Sequence, residues 1–239
     1  MLFLLQLLIA VFAVYSALEF PEEIKLLVPL GCLFLMLLIS RLDRNKMENE
    51  TARKDFLKTE MDKFTKKDSM AGKDQDFFTV DSLLWPKNEL LLIDAVHFIL
   101  KDLGFRISTG VDYHSVDRIV KIPETEKAFG VEIMLCEKEA DRTHPKVLRA
   151  MQFEKEKKAN EKTFLVAGTH VHLPLAEKSH ANHLSKDLSD LLVRYNMSFI
   201  TTHQLYELWQ KAKGGEIDIF ETFERVYSHP GGPFFMALI

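Results

Sequence analysis

The chain has 239 residues, enough for one ordinary domain plus appendages. A formal net charge of −4 and a pI near 6.2 exclude a global electrostatic pull toward nucleic acid or anionic lipid, so any such contact must come from a local patch. The two cysteines, Cys32 in an apolar run and Cys136 at a strand end, exclude a disulfide framework and a cysteine metal quartet, which fits a reducing compartment.

Residues 1–18 are almost wholly apolar, broken by Gln6, Tyr15 and Ser16, and a second apolar run covers residues 26–40. Each run approaches the roughly 17 to 25 residues that a membrane helix needs. Residues 1–40 are therefore expected to form two transmembrane helices joined as a hairpin by the acidic connector 19–25. A cleaved signal peptide is the alternative for the first run, but it lacks a basic start and a second apolar run follows at once. A hydrophobic hairpin in solution is a further alternative, although the second run has no polar face. Arg41, Arg44 and Lys46 follow the second run, whereas the connector holds Glu19, Glu22 and Glu23 against Lys25. Positive residues stay inside, so the expected place is the inner (cytoplasmic) membrane with the soluble domain in the cytoplasm.

Residues 41–76 are dense in charge, with Leu57, Met61 and Phe64 at helical spacing. They read as a charged helical tether, with a short coiled coil as the alternative, and residues 69–74 read as a break before a globular domain at 77–213. Pro86 suits the first turn of a helix, in which Leu90, Ile93, Val96, His97 and Leu100 recur at helical spacing and Gly104 ends the run. His97 is expected at the boundary of that stripe. Residues 105–108 suggest a short strand.

Two strands are then predicted, residues 116–122 and 129–136, joined by a polar turn with Pro123. Period-two alternation places Asp117, Ile119 and Lys121 on one face of the first strand, and Glu132 and Met134 on one face of the second. A hairpin closed around residues 122 and 129 sets Asp117 opposite Met134 with Glu132 one step along. Two carboxylates then lie side by side on a sheet. Downstream the pattern predicts a helix over 146–158, a strand over 163–168, a His-bearing loop over 169–183, a helix over 185–195 with Ser185 as cap, a strand over 197–201 and a helix over 202–213. Helix-joined strands imply parallel pairing and an α/β layered domain. Residues 214–239 hold one more helix, with Phe220, Phe223 and Val226 on a face, and an apolar tail that needs covering by the domain or a partner.

The acid pair and the order of elements around it resemble the PD-(D/E)XK nuclease superfamily, whose restriction-endonuclease-like fold is a mixed sheet flanked by helices. Residues 164–168 and 199–209 resemble the later core strands and last helix of such domains. The resemblance implies that Asp117, Glu132 and the Ile133 carbonyl hold Mg²⁺ or Mn²⁺, a role hard oxygen ligands suit. In the family an acid-x-Lys places a lysine that orients or activates the attacking water, and here Met134 stands in its place. A thioether has no charge, so the resemblance calls for a lysine from elsewhere: Lys121 on the first strand, or Lys146 or Lys155 on the following helix, with Gln152 where the family often has a polar helix residue facing the site.

Without the resemblance, Asp117 and Glu132 read as ordinary polar positions on a half-exposed hairpin, with Arg118 or Lys121 as salt partners. His170, His172, His180 and His183 gather four imidazoles in one loop that could bind a transition metal or a phosphate, in a spacing that matches no established zinc motif. Lys146, Arg149 and Lys157 could track a phosphate backbone, though Glu154, Glu156 and Glu161 interleave with them. Two functions follow. One is a membrane-anchored nuclease-like protein that binds, and with a relocated lysine cleaves, DNA or RNA. The other is a catalytically degenerate nuclease-fold module that serves as a membrane-tethered interaction or sensing subunit, assembled as a homo-oligomer or with a protein partner.

Overall fold

The computed structural model describes residues 27–65, 73–108 and 116–234. The chain divides into two compact units, the first ending at Asp62 and the second beginning at Lys63. α1 (Leu27–Thr65), a single helix of 39 residues, supplies the described part of the first unit and ends three residues into the second. It carries the second apolar run straight into the charged segment, with no break near residue 40. The physical reason is local: after Gly31 the helix contains neither glycine nor proline to stop it. Leu30, Phe34, Leu35 and Leu37 are exposed on it. The first of the two expected membrane helices falls outside the described residues, and among the described residues no helix is long and apolar enough to cross a membrane.

The second unit is built on a six-stranded sheet in the order β1 (Arg106–Ser108), β2 (Arg118–Lys121), β3 (Ala128–Leu135), β4 (Glu161–Gly168), β5 (Ser198–Thr201) and β6 (Gly232–Pro233). The first three strands pair antiparallel, and β3 through β6 pair parallel. This is a mixed sheet, as expected. On one face lie α2 (Lys73–Leu84), α3 (Glu89–Asp102) and α7 (Thr202–Gly214); on the other lie α4 (Pro145–Glu156) and α6 (Lys186–Arg194). A four-residue turn of helix, α5 (Leu175–Lys178), interrupts the His-bearing loop, and α8 (Ile219–Ser228) follows α7.

Local chemistry explains the boundaries. Asn88 caps α3 by accepting from the Leu91 amide at 2.9 Å, which leaves Pro86 ahead of the helix and not in its first turn. Leu90, expected in the apolar stripe, is consequently exposed, and Leu92, Ile93, Val96, Ile99 and Leu100 face the core. Ser185 caps α6. Thr201 and Gln204 form a capping box at α7, and Gly215 ends that helix with φ of 73°.

Between the sheet and α4/α6 packs a core that includes Met134, Val147, Ala150, Leu165, Leu188, Leu192 and Phe199. Near the start of β3 and in β4 an aromatic cluster closes the other face. There Phe223 of α8 meets Phe105, Phe129 and Phe164 with ring centroids 4.6, 5.8 and 6.0 Å away. The tail covers itself in part: Gly232 and Phe234 donate to the Met197 and Phe199 carbonyls at 2.8 Å, adding β6 to the edge of β5 and burying Phe234. Residues 235–239 lie outside the described residues.

Central strand β3 is buried on both faces over seven of its eight residues, which explains why its sequence shows no clean alternation. Gly130 is required there by space, because a Cβ would overlap the Phe153 ring of α4. Gly130→Ala is therefore expected to lower unfolding free energy by about 1–3 kcal/mol, read as a lower urea midpoint at an unchanged slope.

Candidate active site

The β2–β3 ladder runs from Lys121 opposite Ala128 to Arg118 opposite Val131. One step further the same register sets Asp117 opposite Glu132. The expected hairpin, with Asp117 opposite Met134, was out of register by two residues. The turn is tighter than a closure at 122 and 129: Ile122 donates to the Lys127 carbonyl at 3.1 Å, Thr125 donates back to Ile122 at 3.3 Å, and Glu124 takes a left-handed φ of 61°. A slip of two residues keeps every side chain on its own face, so the acids still share one. They are now directly opposed.

Beyond Arg118 the backbone of β2 no longer pairs with β3, and the side chain of Asp117 takes over. Its Oδ2 accepts from the Ile133 amide at 2.9 Å. On an extended strand a residue's N–H and C=O leave toward the same edge, so the Ile133 carbonyl also faces the side on which Asp117 stands.

Over the acids lies the start of α4. His144 caps the helix, its Nδ1 accepting from the Lys146 amide at 3.2 Å, and Pro145 fills the first turn. The Lys146 side chain is thereby sent to the sheet. Its Nζ donates to both Asp117 oxygens, at 2.6 and 2.7 Å, and lies 3.3 Å from Glu89 Oε1 and 3.4 Å from Glu132 Oε2. Arg149, one turn on, places Nη1 3.5 Å from Asp117 and Nε 3.2 Å from Glu132 Oε1. Three carboxylates from three elements thus surround one ammonium, and a half-exposed guanidinium stands at the rim.

Glu132 is fully buried. Both of its carboxylate oxygens lie at ion-pair distance from the cations yet lack a partner in hydrogen-bond geometry. Burial, together with the neighbouring Asp117 charge, pushes its carboxyl up to about 8. Asp117 goes the other way: burial opposes its charge, but the Lys146 ammonium and the Ile133 amide outweigh that and hold it below the usual carboxylate range. Lys146 is likewise held above its ordinary value, as Asp117, Glu132 and Glu89 outweigh its burial. Glu132 thus meets Lys146 and Arg149 by charge alone, with lone pairs still open to a further ligand. Asp117, Glu132 and the Ile133 carbonyl are hard oxygen donors, so the residues fit Mg²⁺ or Mn²⁺. As the side chains stand, no three His, Cys, Asp or Glu among the described residues converge closely enough to hold a metal ion.

Met134 is fully buried in the core beneath α4, beside Val147 and Ala150. Lys146 descends to the acids from that same helix. Lys121 is exposed at the far end of β2, opposite Ala128 and away from Asp117. Lys155 is exposed late on α4, and Gln152 is exposed with its amide donating to Glu156 at 3.3 Å. The structure brings Asp117, Glu132 and Ile133 together and adds Lys146, Arg149 and Glu89. Of these additions Lys146 was one of three lysines the sequence offered for the site, Arg149 was legible only as a helix-face cation, and Glu89 carried only the weak signal of an acid following the Asn88 cap.

The His-bearing loop is held by its own hydrogen bonds. Thr169 Oγ1 and His183 Nδ1 are 2.6 Å apart, His170 Nε2 is 2.7 Å from the Asn182 carbonyl, and the two rings stack edge to face at 5.6 Å. Burial pushes His183 down to about 4, so the ring is neutral at pH 7. His172 and His180 are exposed. Inside the same loop Lys178 is buried and donates to the Leu84 carbonyl at 2.9 Å.

No protein-family model matches the sequence. No curated protein matches it either. Among solved structures the chain is similar to restriction endonuclease FokI bound to DNA, at 10% identity and a TM-score of 0.43, over 71% of this chain and 32% of that one. The chain thus covers about a third of that protein's length. A likeness at this level carries no weight by itself. The mixed sheet flanked by helices, with its opposed acids, fits the restriction-endonuclease-like expectation on its own geometry.

Burial lowers the Lys178 ammonium to about 8 from an ordinary 10.5. The unfolded chain therefore binds more protons than the folded one between those values, and the contribution of this group to stability rises with pH across that window. Lys178→Met is expected to raise the melting temperature at pH 7 and to flatten its rise between pH 8 and 10, measured by thermal unfolding against the unaltered chain.

Proposed function

We propose that the protein is a metal-dependent phosphodiesterase of restriction-endonuclease-like fold that acts on DNA or RNA, with Lys146 in the role of the lysine absent from position 134. The observation that carries this reading is the Lys146 ammonium, at hydrogen-bond distance from Asp117 and ion-pair distance from Glu132. Asp117, Glu132 and the Ile133 carbonyl would hold the divalent cation. When bound, such an ion supplies charge neutralisation at the phosphate and a more acidic water. Lys146 orients that water and donates to a phosphate oxygen as negative charge grows there. Arg149 binds the phosphate at the rim, since its half-exposed guanidinium suits bidentate contact with a phosphodiester. Burial of Glu132 and Met134 keeps bulk water from the floor of the site and strengthens every charge interaction within it.

The apolar residues 1–40, followed by Arg41, Arg44 and Lys46, support anchoring in a membrane with the second unit on the cytoplasmic side. A protein so placed would meet nucleic acid that contacts the inner face of that membrane. The second reading, an inert module that docks a protein partner or a second copy of itself, is favoured by one feature: Lys146 and Arg149 already balance the acids from within.

Cleavage of single- and double-stranded DNA and of RNA by the full-length protein with Mg²⁺ or Mn²⁺ separates the two. The nuclease reading expects cutting that falls at least about 100-fold in Asp117→Asn, Glu132→Gln and Lys146→Met, and that persists in Lys121→Met and Lys155→Met. Absence of cutting by the unaltered protein in all three substrates would leave the inert module. Met134→Lys is expected not to rescue Lys146→Met: an ammonium forced into the core beneath α4 costs about 3 kcal/mol or more, seen as a lower melting temperature.

A further inference from the structure

Resting on the reading above, we infer that Lys146 is also the built-in competitor of the metal: its ammonium stands in the cation position of a three-carboxylate cage and has to leave it before a divalent ion binds. Four distances define that position. The nitrogen lies 2.6 and 2.7 Å from the two Asp117 oxygens, 3.3 Å from Glu89 and 3.4 Å from Glu132. Asp117 comes from the residue just before β2, Glu132 from the middle of β3 and Glu89 from the first turn of α3. Carboxylates from three separate elements do not converge on one buried point by the geometry of any single strand or helix. Glu132 sets Oε2 toward the ammonium and Oε1 toward Arg149, and neither oxygen has a partner in hydrogen-bond geometry.

Size separates the two occupants. An ammonium makes contacts near 2.8 Å, whereas Mg²⁺ binds oxygen at about 2.1 Å in a near-octahedral shell. The cage at its present spacing suits the larger, softer contact, in keeping with the absence of a metal-spaced triad among the described residues. Metal binding therefore requires the acid oxygens to close by roughly 0.5 to 1.3 Å from their present 2.6–3.4 Å about the nitrogen as the lysine withdraws. The fold provides for that withdrawal. Lys146 is fixed to α4 only through its backbone, and four rotatable methylenes carry its charge. Glu89, the most exposed of the three acids, with 38% of its side chain open, is the partner that the ammonium can retain outside the cage. Kept there, Lys146 is one side-chain rotation from the bound water and phosphate. Competition with the metal and contact with the nucleophile become two positions of one side chain.

The experiment is a Mn²⁺ titration of the full-length protein, followed by electron paramagnetic resonance of free Mn²⁺, for the unaltered chain, Lys146→Met and Arg149→Met. Each is also assayed for cleavage, and ¹⁵N-lysine spectra of the unaltered chain are recorded with and without Mg²⁺. The expected result is affinity at least about tenfold tighter in Lys146→Met, where a charge inside the cage is lost, and a much smaller gain in Arg149→Met, whose charge lies at the rim. A slowly exchanging Lys146 ammonium signal should also move or vanish when Mg²⁺ is added. Equal gains in the two variants, with that signal unmoved by saturating Mg²⁺, would overturn the competition while cleavage by the unaltered protein would still uphold the nuclease. Tight binding by Lys146→Met, with no binding or cutting by the unaltered chain, would uphold the competition and end the nuclease reading. No binding by any of the three would end both.

Discussion

A carboxylate buried in the middle of a central strand is the constraint on which this domain turns. Glu132 is the only charged residue of β3 and has no exposed surface. Such a group cannot be left alone: ionised and unpaired it would cost far more than the strand's apolar neighbours contribute. The surroundings answer in three ways at once. A proton is held up to about pH 8, Asp117 is set opposite from the residue just before β2, and two cations reach in from α4. A leucine in place of Glu132 would satisfy packing more simply and would need none of these partners.

The rest of the fold delivers those partners to one point. Antiparallel β2 stops at Arg118, which frees the Asp117 side chain to accept from Ile133 where a backbone carbonyl would otherwise have stood. Parallel pairing of β3 with β4 requires a crossover, and α4 is that crossover; its first turn lands above the acids because residues 136–144 are short. The Asn88 cap turns α3 so that Glu89 faces the same place. Aromatic packing of Phe105, Phe129, Phe164 and Phe223 seals the domain elsewhere, away from the acids. Polar and apolar work are thereby separated along the same strands.

Much of this was legible in the sequence. Alternation around Asp117 and Glu132 gave the shared face, and the order of apolar segments gave the mixed sheet and its helices to within a few residues. Three things were not. The register depended on a left-handed Glu124 that no turn dipeptide announces. The helix Lys73–Leu84 has its apolar residues in adjacent pairs, Phe77 with Phe78 and Leu83 with Leu84, so no clean stripe marked it. The lysine was sought along β2 and along α4, but spacing alone does not choose Lys146 over Lys121 or Lys155, because the choice depends on where the first turn of α4 lands in space. Met134 shares one buried core with Val147 and Ala150 of α4, a placement that sequence spacing does not reveal. The apolar tail, read as needing a cover, supplies its own through β6.

The most direct test of the account is a crystal structure of the full-length protein grown with Mn²⁺, with data collected for the anomalous signal of the metal. The account predicts an anomalous peak bounded by the carboxylates of Asp117 and Glu132 and the Ile133 carbonyl, with the Lys146 nitrogen moved off Asp117 and still within reach of Glu89. Mn²⁺ bound elsewhere in the same crystals, with Lys146 still clamped on both oxygens of Asp117 and no peak between the acids, would contradict it.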